Sequence, residues 1–423
     1  MKILKLKNVN FCLAILLSSF VANAQNYPGW RSVNRDGNYY LEKGLLKKWD
    51  TNGPELLWET EDVGKGFSSP VIVGDKIYIT GLNEDGDKEV FSVFSSKGKR
   101  LYQVEYGSPW KKSNPENRTT PTILDDKAYV ISGTGEVVCI NIADGKIVWS
   151  VDGKRTFGKK EGIWGTAESP LVVDNKVIYT PAGEITNMVA LNAKTGETVW
   201  QTKPAGDISS YVSPLLIHYK GKKQIIGITS MRVFGVNPDN GDIQWEFTDW
   251  ALQKKSEHDG KISCNTPLFK DGKLYVSNGY DIGSFMLHLS DDLKSVSLLW
   301  RNDDLDVHIG GLVLHNGTIY GSNWINNNSG NWVAVNWETG KTEYVTPWSG
   351  KGKGSIITAD DMLYCYDERR GTVGLVTATP EKFDVVSEFR ITKGEGPHWA
   401  HPVISNGVLY LRHGSYLAAY KIK

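Results

Sequence analysis

Two histidines three apart, His398 and His401, bracket Trp399 in HWAHPVISNGVLYLR (398–412), ahead of a proline and an alternating apolar run. Imidazole pairs bind metals or move protons. On an extended stretch, residues three apart point to opposite faces. This pair therefore needs a further ligand from elsewhere, such as His308 or Glu168, before it can hold a metal. Glu168 has the chemistry of a general base, with Arg118 and Lys353 able to hold an anion. Its plainer reading is a carboxylate paired to a neighbouring cation. GKGKGS (350–355) lacks phosphate-loop spacing and leads into a strand. The chain has no G-x-S-x-G elbow and no H-E-x-x-H motif. DDLDVH (303–308) lacks EF-hand spacing and reads as a solvated acidic loop. No metal site is expected.

Most of these residues stand just ahead of copies of one pattern. The copies are SSPVIVGDKIYIT (68–80), TTPTILDDKAYVI (119–131), ESPLVVDNKVIYT (168–180), a looser VSPLLIHYKGKKQIIGIT (212–229), NTPLFKDGKLYVS (265–277), GGLVLHNGTIYGS (310–322), GSIITADDMLYCY (354–366) and AHPVISNGVLYLR (400–412). Their proline positions fall at 70, 121, 170, 214, 267, 311, 355 and 402, a spacing of 44 to 53 residues. Each copy is a strand, a tight Gly/Asp/Asn turn and a second strand. A second hairpin follows, as in VVCINIADGKIVW (137–149), MVALNAKTGETVW (188–200) and VFGVNPDNGDIQW (233–245), with a glycine for positive φ and a closing tryptophan. Two hairpins make a four-stranded blade. The spacing predicts an all-β, eight-bladed propeller of antiparallel blades. Trp149, Trp200, Trp245 and Trp300 recur at one point and are expected to pack blade on blade. The stretch around Trp58 lacks an inner hairpin, so it should pair with YLAAYKIK (416–423) and close the ring.

In a propeller, the leads into the innermost strands converge on one channel mouth. The ligand-channel candidates are thus Arg118, Trp164, Glu168, Asn265, His308, Lys353, His398, Trp399 and His401, beside Phe67, Asn117 and Tyr211. A concave site with convergent polar groups is a default ligand site. The alternative is a wet mouth whose charges pair among themselves. Trp324, in an Asn-rich outer hairpin with Trp332 and Trp337, is a candidate for stacking on a sugar or a partner.

The T-G-x-x-x-W ending at Thr195–Trp200 and the S-P-x-x-x-x-x-K-x-Y opening resemble the pyrroloquinoline-quinone (PQQ) type repeat. Over nearly all of 25–423, the chain resembles the quinoprotein-alcohol-dehydrogenase-like propellers. Within these it is similar to the compact group that includes the outer-membrane-assembly scaffold BamB. GWRSVNRDG (29–37) resembles the start of exported PQQ-like propellers of unassigned function. The resemblance implies a binding or scaffold module in the cell envelope. A PQQ-dependent alcohol or sugar dehydrogenase is the alternative, with PQQ and calcium in the channel. Glu168 or Asp306 would then be the base, Arg118 or Lys353 would lie near the quinone oxygens, and Trp164, Trp324 or Trp399 would form an aromatic floor. The adjacent cysteines those dehydrogenases carry over the quinone are missing here. A glycan-binding propeller is the third reading, and no cofactor is expected under the first.

Residues 1–24 read as a cleavable export signal. Lys2, Lys5 and Lys7 precede an apolar core of about 12 residues, too short to span a bilayer, and Ala22-Asn23-Ala24 is the cleavage pattern. Cys12 lacks the small residue expected before a lipidated cysteine. Cleavage after Ala24 leaves one propeller domain, 25–423, with a net charge of −3. It is expected to be periplasmic or secreted and monomeric, with no transmembrane segment. No basic excess points to nucleic acid. Cys139, Cys264 and Cys365 have no metal-ligand spacing and read as small buried apolar residues.

Overall fold

The computed structural model describes residues 26–160, 162–249 and 263–423. The expected signal segment and its cleavage point lie outside them. Among the described residues, 32 strands form eight four-stranded antiparallel sheets, each ordered as the chain runs save the last. Blades 1 to 7 span Val71–Gly107, Thr122–Asp152, Leu171–Gln201, Leu215–Phe247, Leu268–Asn302, Val313–Thr346 and Gly354–Arg390. Blade 8 takes three strands from Val403–Lys421 and its outermost from Glu55–Thr60. Leu56 faces Tyr420 and Trp58 faces Ala419 in that pairing, the ring closure expected from sequence. Among the described residues helix is confined to short pieces such as Gly153–Phe157, capped by Asp152. Among the described residues no helix is long and apolar enough to cross a membrane.

The apolar core is a series of slabs between neighbouring blades. Tyr78, Phe91 and Val93 of blade 1 pack on Ile123, Val130 and Val138 of blade 2, and the arrangement repeats around the ring. The recurring tryptophans lie in these slabs. Trp149 stands over Gly196 of the next blade and donates to Ala193 O at 3.0 Å. A Cβ at Gly196, whose φ is 76°, would sit 2.8 Å from that indole, so the turn needs glycine for both space and conformation. Trp58 covers Gly98 and Trp200 covers Gly241 in the same way.

The Ser/Thr-Pro openings of the first four repeats form a belt near the axis. Ser69 N donates to Thr120 Oγ1 (3.0 Å), Thr120 N to Ser169 Oγ (3.0 Å) and Ser169 N to Ser213 Oγ (2.9 Å). Each hydroxyl satisfies a buried amide of the blade before it. The proline that follows has no N–H to satisfy, and the carbonyls of Pro170 and Pro214 face the axis.

Those axial carbonyls are met by residues 26–50, which thread the channel that the sequence suggested was open. Tyr27 N donates to Ile72 O of blade 1 (3.0 Å), and Pro28 O accepts from Ile123 N of blade 2 (2.7 Å). Arg35 donates to Ser169 O (3.0 Å), Pro214 O (3.2 Å) and Pro170 O. Arg31 donates to Ile356 O (3.0 Å) and Leu312 O, and its Nη1 lies 2.7 Å from His401 Nδ1. The chain leaves past blade 7, where Tyr39 N meets Thr358 O (2.9 Å), and past blade 8, where Glu42 accepts from Asn406 N (2.7 Å) and Gly407 N (3.0 Å). The inner strand of each blade is a sheet edge with unspent carbonyls, and an arginine fork supplies five donors. GWRSVNRDG is thus an axial plug.

Candidate functional site

The strands start at one face, reverse at the other and return. Leads into first strands and loops between second and third strands therefore share a face. On that face a cavity of about 350 Å³ opens at the axis. Six aromatic side chains share its lining. Phe67 meets Trp399 (ring centroids 4.8 Å), Trp164 meets Tyr211 (5.7 Å, edge-on), and Tyr280 meets His308 (4.7 Å, edge-on). Trp30 of the plug joins them and stands edge-on to His401 at 5.5 Å.

Six of the nine sequence candidates meet here: Arg118, Trp164, His308, Lys353, Trp399 and His401. Lys353 is almost fully buried and forms an ion pair with Glu368, also buried; Lys353 Nζ donates to Asn327 O as well (3.0 Å). Burial raises the Glu368 carboxyl and the Lys353 ammonium opposes that rise. His401 is buried next to Arg31, and desolvation followed by that cation holds its ring well below the usual imidazole range. Its Nδ1 therefore accepts from Arg31 and its Nε2 carries the proton, donating to Ile309 O at 3.2 Å. His308 Nε2 shares a hydrogen bond with Tyr280 OH at 3.0 Å. Cys264 also lines the cavity, and burial pushes its thiol up to about 12, away from thiolate chemistry.

The other three candidates do not line the cavity. Glu168 is turned into blade 3, where both carboxylate oxygens accept from Thr180 N at 3.1 Å. Burial pushes it up to about 8. Glu168 makes no direct ion pair among the described residues; Thr180 N takes its oxygens, and the neighbouring cations Arg35 and Lys159 act on it at longer range. Asn265 is a fastener: its Nδ2 donates to Val307 O (2.7 Å) and His308 O (2.9 Å), and its Oδ1 accepts from Gly311 N (3.1 Å). His398 stacks on His413 with ring centroids 3.5 Å apart, and burial pushes it down to about 4. It sits in the seam between blades 7 and 8.

Asp306 departs from its expected solvated loop. It is buried, accepts from Asp281 N (2.8 Å) and Gly283 N (2.9 Å), and is pushed up to about 7 by burial. It thereby holds the loop that presents Tyr280. Trp324 is half-buried and leans on Tyr280 at 4.8 Å. Trp332 and Trp337 are buried in blade seams. Cys139 and Cys365 lie buried within strands as free thiols.

Site residues that the repeat pattern did not single out come from two places. Tyr280, Asn327 and Glu368 belong to loops between second and third strands, and the alternating strand direction was signal enough to put them on this face. Trp30 belongs to the plug, and no periodicity marks it.

A calcium-bridged quinone does not fit these donors. Glu168 and Asp306 are spent on backbone amides away from the cavity, and the one carboxylate among the described residues lining it, Glu368, is spent on Lys353. Among the described residues no group of three or more His, Cys, Asp or Glu side chains can hold a metal ion.

A family model described as outer membrane protein assembly factor BamB matches residues 108–328, just over half of the chain. An uncharacterized protein of Rickettsia conorii is 25% identical over 290 residues, 66% of this chain. The chain spans 62% of that relative's length. Outer membrane protein assembly factor BamB of Salmonella typhimurium is 35% identical over 95 residues, 21% of this chain and 23% of that protein. Among solved structures, BamB from Moraxella catarrhalis has a TM-score of 0.63 at 15% identity, covering 87% of this chain and 99% of that one. A quinohemoprotein alcohol dehydrogenase from Pseudomonas putida HK5 has the same TM-score at 13% identity, covering 94% and 80%. Both structural likenesses speak to fold alone.

Proposed function

The chain belongs to the family described as outer membrane protein assembly factor BamB, and from that premise we propose that it is a binding and scaffold module of the cell envelope. The observation that carries this reading is the character of the axial cavity. Its walls carry six aromatic side chains, the one carboxylate among its described lining residues is committed to a lysine, and its imidazoles are tied to Arg31 and Tyr280. Such a lining binds and orients a guest without supplying a proton acceptor. Ile163 (66% exposed) and Ile325 (50% exposed) lie one and two residues along the chain from the cavity residues Trp164 and Asn327 and offer apolar surface to a partner. The relatives' name, an assembly factor for outer membrane proteins, favours a protein partner. Export by residues 1–24, with residues 25–423 working as a monomer in the periplasm or beyond it, is part of the proposal.

A photo-crosslinker placed at Ile163 or Ile325 of the full chain, in its native cells, tests this. Both positions should give an adduct with the same envelope protein. Val199 and Leu299, on outer blade strands, should not. Equal adducts from all four positions, or a chain that fractionates with the cytosol, would overturn the proposal.

A further inference from the structure

We infer that the axial cavity takes a ligand with a flat apolar body and a single anionic group, of the aryl-carboxylate class, with Arg118 selecting the charge. This rests on the reading of the cavity as the binding site and adds the class of guest. The walls set the body. Trp30, Phe67, Trp164, Tyr211, Tyr280 and Trp399 surround a space of about 350 Å³, and flat faces of that kind favour a planar apolar group.

The charge follows from accounting for each basic group among the described lining residues. Lys353 is cancelled by Glu368. His401 is neutral, with one nitrogen on Arg31 and the other on a carbonyl. His308 shares its Nε2 with Tyr280. Arg118 differs. Its Nη2 donates to the carbonyls of Ser113 (2.9 Å) and Asn114, and no carboxylate lies within ion-pair distance of it among the described residues. Glu89, behind it, is spent on Tyr106 OH (2.6 Å), Asn117 Nδ2 (2.8 Å) and Gly133 N (3.0 Å). Glu116 opens on a separate groove with Glu61, Asp62, Glu84 and Asp85, and it and Glu89 act on Arg118 through space without a direct ion pair. Three of the five guanidinium N–H groups, on Nε and Nη1, meet no acceptor among the described residues, and a planar fork suits a carboxylate. Among the described residues Arg118 is the lining cation without a direct carboxylate partner, and it suits one anionic group; a polyanion would bury charges without partners.

Titration calorimetry of the full chain with three indole probes tests the inference: indole-3-propionate, its amide, and tryptamine. The carboxylate should bind about ten-fold or more tighter than the amide, with the cation weakest. Arg118→Gln should bring the carboxylate down to the affinity of the amide, and Trp399→Ala should weaken all three. Circular dichroism of each variant checks that it folds. Equal affinities for carboxylate and amide, or a preference that survives Arg118→Gln, would overturn the ligand class while leaving the cavity as the site. Binding by none of the three would remove the cavity reading itself.

Discussion

Replacing Arg412 by methionine should open the seam that closes the ring. Arg412 is fully buried in blade 8 and reaches blade 1. Its Nη1 donates to Ser68 O (2.9 Å), Thr80 O (2.8 Å) and Ser68 Oγ, its Nη2 to Gly64 O (2.8 Å), and its Nε to Gly414 O (2.9 Å). Without it, the Thr80 carbonyl keeps the Ser68 hydroxyl at 2.9 Å. The carbonyls of Ser68 and Gly414 lose a donor inside the protein, at about 1–3 kcal/mol each. Gly64 is partly exposed and water can replace the donor there. Against this stands relief from burying a guanidinium, whose cost shows in a titration pulled down to about 9. The net loss should be about 2–4 kcal/mol. Denaturant unfolding measures the total, and amide exchange locates it. Exchange should quicken in Glu55–Thr60 and Val403–Ser405 and stay unchanged in blade 4. A loss below about 1 kcal/mol, or faster exchange spread evenly over the blades, would refute the reasoning.

The remaining predictions concern buried ionisable groups. Glu168 titrates near 8 in the folded state, above its unfolded value, so the native state keeps that proton longer and stability falls as pH rises from about 4.5 to about 8. Glu168→Gln should match the parent at pH 5 and exceed it at pH 8 by a few kcal/mol, about 1.4 for each pH unit separating the folded and unfolded titrations; parallel melting curves across that range would count against this. Lys353→Met should cost about 3–5 kcal/mol, because it strands Glu368. Adding Glu368→Leu should recover most of that loss, and a double variant as unstable as the single would show that the pair is not coupled.

The blade plan was open to reading because it is local. Tight turns such as Asn406-Gly407, the alternation in VIVGDKIYI and the glycine under each tryptophan encode hairpins over spans of a dozen residues. The latch was legible too, since Trp58 had no inner hairpin to join. The site was half legible. Lead-in residues could be placed on one rim by topology, but rotamer and depth could not. Glu168 and Asn265 turn into the blades because nearby amides and carbonyls there need partners, and that need appears only when the strands are assembled. The plug was beyond reach for the same reason. Arg31 and Arg35 answer carbonyls from blades distant in sequence, and their positive φ angles of 58° and 59° belong to no regular element.

The plug and the latch both come from the first part of the chain, yet they serve what the ribosome makes last. Arg31 waits for His401, 370 residues later, and Ser68 waits for Arg412, 344 residues later. Order of synthesis and order of use are therefore opposed. Blades 1 to 7 can assemble hairpin by hairpin as they emerge, but the outermost strand of blade 8 and the axial carbonyl partners join a structure that is otherwise complete. Closure is one late, long-range event with a large loop-entropy cost. Until it happens, blade 1 presents a bare face and the axis a ring of unanswered carbonyls, so the nearly finished chain is the form most exposed to aggregation or chaperone capture.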